Sequence, residues 1–190
     1  MESRRDFLLA VLGVLLTKGA FGNDAVQQKG ITVNVEAHGK LIVSDVSFDM
    51  PASADQIWAV LTDYDHMTDF LPNLAYSKKL GDSAETFQVA QRGKAFLGPF
   101  AISFAYIQEV TLTPYKEIRF HLISGTFKQL DGVVQLFEAG GSTRVIYHGV
   151  SIPTFPLPNA IIVVMTEQTI REQFESMKEE ILERKHNPPR

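Results

Sequence analysis

Polar and apolar residues alternate along most of this chain, and near the C-terminus the period changes. From Leu41 to Met50, Ile42, Val46, Phe48 and Met50 share one face, while Asp45, Ser47 and Asp49 share the other. That two-residue period predicts a half-buried strand. Ile31 to Val35 reads as its hairpin partner across His38-Gly39-Lys40, and Pro51 ends the pair. Ser53-Ala54-Asp55-Gln56 then has the spacing of a capping box, and predicts a helix carrying Ile57, Trp58, Val60 and Leu61. A second short helical piece, about Tyr64 to Leu71, stops at Pro72.

From Leu74 to Ser151 the alternation returns, broken by turn residues. Expected strands are Ala75–Leu80, Glu85–Arg92, Phe100–Thr113, Glu117–Ser124, Phe127–Glu138 and Thr143–Ile152. In the longest, Phe100, Ile102, Phe104, Tyr106, Val110 and Leu112 face one way, and Ala101, Ser103, Ala105, Glu109 and Thr111 the other. Gly140-Gly141 reads as a hairpin turn. Strands joined by short turns make an antiparallel meander. Large aromatic residues on one face imply a curved sheet with that face covered.

The cover is Pro158 to Lys185, where the period becomes helical. Val163, Ile170, Phe174, Met177 and Ile181 line one face, and charged residues fill the other side of the second half. Burying those five contributes on the order of 10 kcal/mol at most. Glu167 with Arg171, and Glu180 with Arg184, stand four apart in the favourable order. The first turns, Ala160 to Met165, are apolar all round and follow Phe155 and Leu157. A helix start with no polar side is buried in protein, touches lipid or lines a cavity. The fold class expected is α+β, a curved antiparallel sheet around one long C-terminal helix.

Composition narrows the function. The 190-residue chain has 45% hydrophobic and 21% charged residues, the balance of an ordinary globular domain. Residues 1–22 resemble a cleaved export signal: Arg4-Arg5, an apolar run from Phe7 to Leu16, then Ala20-Phe21-Gly22. The apolar run is too short to span a bilayer. Ser3-Arg4-Arg5-Asp6-Phe7-Leu8 is similar to the twin-arginine signal, with Leu9 where that pattern often has Lys. Cleavage takes three of the 18 basic and two of the 22 acidic residues, and leaves residues 23–190 at a net charge of −5. An acidic chain has no general attraction for nucleic acid or anionic lipid. With no cysteine, disulfides, thiolate catalysis and cysteine–metal sites are excluded.

The stretch from Ile57 to Ser77, with Trp58, Asp63-Tyr64-Asp65 and Phe70-Leu71-Pro72-Asn73 inside it, resembles the START-like superfamily. The closer likeness is to its polyketide cyclase/dehydrase and coenzyme Q-binding branch. Gly125 to Gly132, Thr143 to Tyr147 and Pro153 to Pro158 fit the same group, and the likeness covers about residues 41 to 185. It implies a helix-grip fold, with two short helices after the first strands and a hydrophobic cavity between sheet and terminal helix. Members bind lipids, quinones, sterols or aromatic polyketides there, so the implied partner is a hydrophobic small molecule.

On that basis the cavity walls are expected from Phe100, Phe104, Tyr106, Phe120, Leu122, Phe127, Tyr147, Met165 and Thr169. Phe155, Leu157, Ile161 and Ile162 are expected at a portal making transient membrane contact. Tyr106, and second Tyr147, are the phenols placed to orient a polar group of the guest. Arg119 alternates out of phase with Ile118 and Phe120 and is assigned to the solvent side. Asp63, Asp65, His66 and Asp69 form the densest polar cluster, which reads as a solvated helix end and turn. His121 and His148 belong to no metal-spacing motif, and neither a nucleophile elbow nor a phosphate loop occurs. No catalytic residue, metal ligand or cofactor is assigned, and oligomeric state is left open. The leading expectation is an exported, periplasmic carrier of a lipid, quinone or polyketide-like molecule. A cyclase, dehydratase or hydrolase on a hydrophobic substrate, and a protein-interaction module, are the alternatives.

Overall fold

The structure is a computed structural model that describes residues 30–98 and 100–187; the expected export signal lies outside the described residues. Its strands are β1 (Thr32–His38), β2 (Leu41–Met50), β3 (Leu74–Leu80), β4 (Thr86–Leu97), β5 (Phe100–Thr113), β6 (Glu117–Gly125), β7 (Phe127–Ala139) and β8 (Ser142–Pro153). Helices α1 (Ala54–Leu61) and α2 (Met67–Phe70) separate β2 from β3, and α3 (Asn159–His186) follows β8. All eight strands form one antiparallel sheet in the order β1-β2-β8-β7-β6-β5-β4-β3. The meander β3–β8 thus returns its last strand to the β1–β2 hairpin. This is the helix-grip arrangement, an α+β fold.

Local signals account for the element boundaries. The Ser53 backbone N–H donates to Gln56 Oε1 at 3.1 Å, one arm of the capping box that starts α1. The α1 entry is further held by the Ala54 N–H donating to Glu138 at 2.9 Å. Gly140 and Gly141 both have positive φ, 61° and 78°, which a two-residue hairpin with the sheet's twist requires at both positions. The second helix is shorter than the Tyr64–Leu71 expected, and β4 extends past Arg92 as far as Leu97, just before the Gly98-Pro99 pair.

Alternation puts the even-numbered residues of β5, β6 and β7 on the concave face, with the odd-numbered ones of β8 between them and β2. Tyr147 pairs with Val134, Val134 with Ile118, and Ile118 with Leu112, giving one inward row across four strands. α3 lies against this face. Phe174 is buried between Phe48 and Tyr147, at ring distances of 5.8 and 5.4 Å, and Ile181 is 1% exposed. Phe48, Met50, Ile57, Val60 and Val145 complete a closed core around the C-terminal half of α3. Arg184 pairs with Asp63 at 2.8 Å and with Glu180 at 2.6 Å, and Glu172 accepts from Asn73 at 2.9 Å, so α3 is tied to the α1–β3 segment.

The β6–β7 ladder ends at His121 opposite Asp131. Beyond it Leu122 to Gly125 follow β5, while Phe127 to Leu130 follow β8, so the two limbs part. Thr126 clips them together at the tip. Its Oγ1 accepts from the Ala105 N–H at 3.1 Å, and its carbonyl accepts from the Thr154 hydroxyl at 2.8 Å.

Candidate functional site

Under the N-terminal two-thirds of α3, sheet and helix stay apart and leave a cavity of about 270 Å³. Ile162, Met165, Thr169, Ile170 and Met177 of α3 form its roof, Leu61, Tyr64, Met67 and Leu71 from the α1–α2 region close one side, and strands β4 to β8 form the floor. Pro153, Phe155, Ala95 and Ile102 reach its outer end.

Three glycines let bulky rings lie flat on that floor. Gly93 pairs with Phe104 across β4 and β5, and Gly132 pairs with Phe120 across β6 and β7. A Cβ on Gly93 would sit 2.6 Å from Phe104 Cζ, and one on Gly132 2.4 Å from Phe120 Cζ. A Cβ on Gly149 would sit 2.1 Å from the Tyr147 hydroxyl. With no side chain beneath them, the rings tuck against backbone and the space above stays open.

The rings form two runs. Phe104 stacks on Tyr106 at 5.8 Å, Tyr106 meets Phe127 edge-on at 6.0 Å, and Phe127 meets Phe155 at 6.0 Å beside the start of α3. Phe120 stacks on Tyr147 at 6.2 Å, and Tyr147 leads through Phe174 into the closed core. Such pairs contribute about 0.5–1.5 kcal/mol each beyond buried area.

The lining contains no carboxylate, imidazole, amine or guanidinium among the described residues. Its polar groups are phenols, hydroxyls and carboxamides. The Tyr106 hydroxyl donates to Gln91 Oε1 at 2.7 Å, and Gln91 Nε2 donates to Ser77 Oγ at 3.0 Å. That chain is satisfied within the protein. Thr169 Oγ1, by contrast, is buried with no partner among the described residues. Burial holds the Tyr64 and Tyr106 phenols protonated well above the usual tyrosine range, neighbouring phenols adding to the effect. Burial, with the Asp45 charge second, pushes Tyr147 up to about 12. All three are neutral hydrogen-bonding groups at ordinary pH.

Of the residues expected as walls, Phe104, Tyr106, Phe120, Phe127, Tyr147, Met165 and Thr169 line the cavity. Leu122 does not: it lies one residue past the last β6–β7 pair, on the limb that leaves the sheet centre, and is half-buried there. The Phe100 side chain lies outside the described residues. At the expected portal, Phe155 and Ile162 line the cavity mouth, whereas Leu157 is half-buried away from it and Ile161 is 37% exposed. Val164 joins Ile161 on the outside at 50% exposure. The apolar helix start is therefore split, one side on the cavity and one side open.

The sequence reading missed Gln108, which is 7% exposed and lines the cavity. Its even number on β5, between Tyr106 and Val110, was the available signal. Thr166 and Gln173 were also missed, though with Thr169 they stand at helical spacing on the roof.

The acidic cluster around His66 and the strand histidines lie on the outside. Asp63 holds His66 at 2.6 Å, which raises the His66 pKa, and Asp65 accepts from the Lys79 N–H at 2.8 Å and pairs with Lys78 at 3.0 Å. Arg119 pairs with Glu117, His148 with Asp45 and His121 with Asp131, all on the convex face. No cluster of three or more potential metal ligands occurs among the described residues.

Solved structures share this fold. The STAR-related lipid transfer protein fragment from Xanthomonas axonopodis superposes with a TM-score of 0.67 at 15% identity, covering 84% of this chain and 96% of that one. The Zhui aromatase/cyclase from Streptomyces sp. R1128 gives 0.65 at 14% identity, covering 76% and 95%. A START superfamily protein from Mycobacterium smegmatis gives 0.63 at 15% identity, covering 74% and 97%. At these identities the likeness establishes the fold. Among curated protein sequences, none matches this chain. The family model described as polyketide cyclase / dehydrase and lipid transport matches residues 50–178. The chain belongs to that family.

Proposed function

We propose that this protein is an exported carrier that binds one hydrophobic small molecule between its sheet and α3. The observation that carries the reading is the cavity of about 270 Å³, walled by two runs of packed aromatic rings and without any acid, amine or imidazole among its described lining residues. Such a site rewards burial of apolar surface. It is poorly suited to acid–base turnover, which needs a titratable group poised near working pH, and here the phenols are held protonated. Lipid transfer and aromatase/cyclase proteins are both among its structural relatives, and the lining favours the first.

Entry is by the outer end, between the first turns of α3 and the β4–β5 hairpin. Gly149 to Thr166 and Ala95 to Gln108 carry no charged residue, so both rims can approach a membrane or a greasy donor without desolvating a charge. Ile161 and Val164 are the outward apolar contacts of that rim. Among the described residues no helix is long and apolar enough to cross a membrane, so contact at this rim is peripheral. The N-terminal segment with Arg4-Arg5 directs the chain out of the cytoplasm.

The test is to produce the full chain in a bacterium, recover it from the exported fraction, and identify bound molecules by native mass spectrometry and solvent extraction. An exported protein with one apolar molecule per chain, displaceable by the fluorescent probe N-phenyl-1-naphthylamine, is the expected result. Retention in the cytoplasm would overturn the export, and failure to bind the probe at micromolar concentration would overturn the carrier. Ile161→Asp combined with Val164→Asp should leave probe affinity in place and slow transfer of guest from vesicles.

A further inference from the structure

The cavity contains a second population of polar groups that the fold itself does not use. Thr169 Oγ1 is buried and unpartnered among the described residues. It belongs to a stripe, Thr166, Thr169 and Gln173, spaced three and four apart on α3, and all three line the roof. On the floor, Gln108 is 7% exposed as a residue, lines the cavity, and makes no hydrogen bond to a described residue. The Tyr147 hydroxyl is likewise unbonded and lies above the bare Cα of Gly149. Buried polar groups in a folded protein are normally paired, and leaving them unpaired destabilises the empty state.

We propose that these groups form a polar subsite, and that the guest is an uncharged, flat molecule whose hydrogen-bonding oxygen is received by Tyr147, Gln108 and Thr169. The proposal rests on the carrier reading and specifies its ligand class. Three observations fix the class. The free groups can donate to a carbonyl or hydroxyl oxygen, yet the described lining residues offer no cation to balance a carboxylate or phosphate. The stacked Phe120–Tyr147 pair presents a planar surface beside the free hydroxyl. The volume of about 270 Å³ lies near the lower end of pockets that enclose drug-sized ligands, which suits a compact ring system and not the two acyl chains of a membrane phospholipid.

Fluorene, 9-fluorenone and fluorene-9-carboxylate share a three-ring frame and differ at one carbon, which makes them the direct test. Each is titrated against bound N-phenyl-1-naphthylamine on the full chain. The ketone is expected to bind about tenfold more tightly than the hydrocarbon, the gain from satisfying buried donors. The carboxylate should bind more weakly than either. Tyr147→Phe and Thr169→Val should each narrow the ketone-to-hydrocarbon ratio toward one by weakening the ketone more than fluorene, whereas Arg119→Gln, on the convex face, should leave the ratio intact. Thermal melts of each variant report folding separately. Equal affinity for ketone and hydrocarbon in the unmodified protein would overturn the subsite and leave the carrier standing, as would a preference for the carboxylate. Failure of all three and of the probe to bind would overturn both.

Discussion

On the β4–β5 wall of the cavity Phe104 lies over Gly93 and stacks with Tyr106; on the β6–β8 wall Phe120 lies over Gly132 and stacks with Tyr147. The two walls use the same parts, a bare glycine, a phenylalanine laid flat and a buried phenol, and put them to different ends. Behind Gly93 stands backbone, the Asn73 carbonyl, which also accepts from the Lys94 N–H at 2.9 Å. Its phenol is committed to Gln91 and through it to Ser77. On the other wall a Cβ on Gly132 would meet the His148 carbonyl at 2.8 Å, but the three nearest atoms to one on Gly149 all belong to the Tyr147 side chain, whose hydroxyl has no partner among the described residues. One wall is braced by the protein, and the other is left for a guest to complete.

The sharpest way to break that contrast is the same substitution on each side. In Gly93→Ala the new Cβ falls 2.1 Å from the Asn73 carbonyl oxygen and 2.6 Å from Phe104 Cζ, so backbone as well as ring must move. The expected loss is about 3 kcal/mol, at the upper end of ordinary overpacking, read as a lower denaturant midpoint. In Gly149→Ala the three nearest atoms to the new Cβ all belong to the Tyr147 side chain, which borders the cavity. Stability should change by less than about 1 kcal/mol, while N-phenyl-1-naphthylamine binding falls because the Tyr147 ring now occupies the cavity. If both variants lose stability alike, the second wall is as rigid as the first.

Removing one hydroxyl from each wall gives the next largest difference. Tyr106→Phe leaves Gln91 Oε1 buried without its donor, a loss of about 1–3 kcal/mol. Tyr147→Phe removes a group with no partner among the described residues, and stability should stay within about 0.5 kcal/mol of the parent. Matching losses would mean that Tyr147 has a structural partner after all.

How far each wall could be read from sequence follows from the range of the signal. Alternation is local, so β2 and β5 fall at Leu41–Met50 and Phe100–Thr113 as expected, and Phe104 and Tyr106 face inward. The capping box at Ser53 is equally local and starts α1 where its spacing says. Cross-strand facts are not local. That Gly93 sits opposite Phe104, and that Gln91 lies beside Tyr106, depends on the β4–β5 register, so the phenol ranked first for meeting a guest is the one already bonded. Leu122 shares the parity of Phe120, and only the end of the β6–β7 ladder at His121 explains why it leaves the cavity. The stripe of Thr166, Thr169 and Gln173 was legible at helical spacing, but a search for an apolar face passes over it.

The smallest effect concerns charge. Burial holds the Tyr147 proton, so this phenol ionises at about 12 in the folded chain against 10 when unfolded. Its contribution is therefore complete below pH 10 and is lost as pH rises from 10 through 12, where the unfolded chain has shed a proton that the folded chain keeps. Tyr64 and Tyr106 act in the same sense by the same cause. The denaturant midpoint should hold steady up to about pH 10 and fall beyond it, less steeply in Tyr147→Phe. The walls differ in what stands second. For Tyr106 it is the neighbouring phenol Tyr147, for Tyr147 the carboxylate of Asp45 on the convex face, which also holds His148 at 2.7 Å. Asp45→Asn should thus lower the alkaline midpoint of Tyr147, followed as phenolate absorbance against the Tyr147→Phe background, by a fraction of a pH unit. Because the Asp45–His148 pair is half-exposed, the accompanying stability change should stay below about 1 kcal/mol. An unmoved midpoint would show that the sheet screens Tyr147 from the outer face as fully as it does Tyr106, and the two walls would then differ in hydrogen bonding alone.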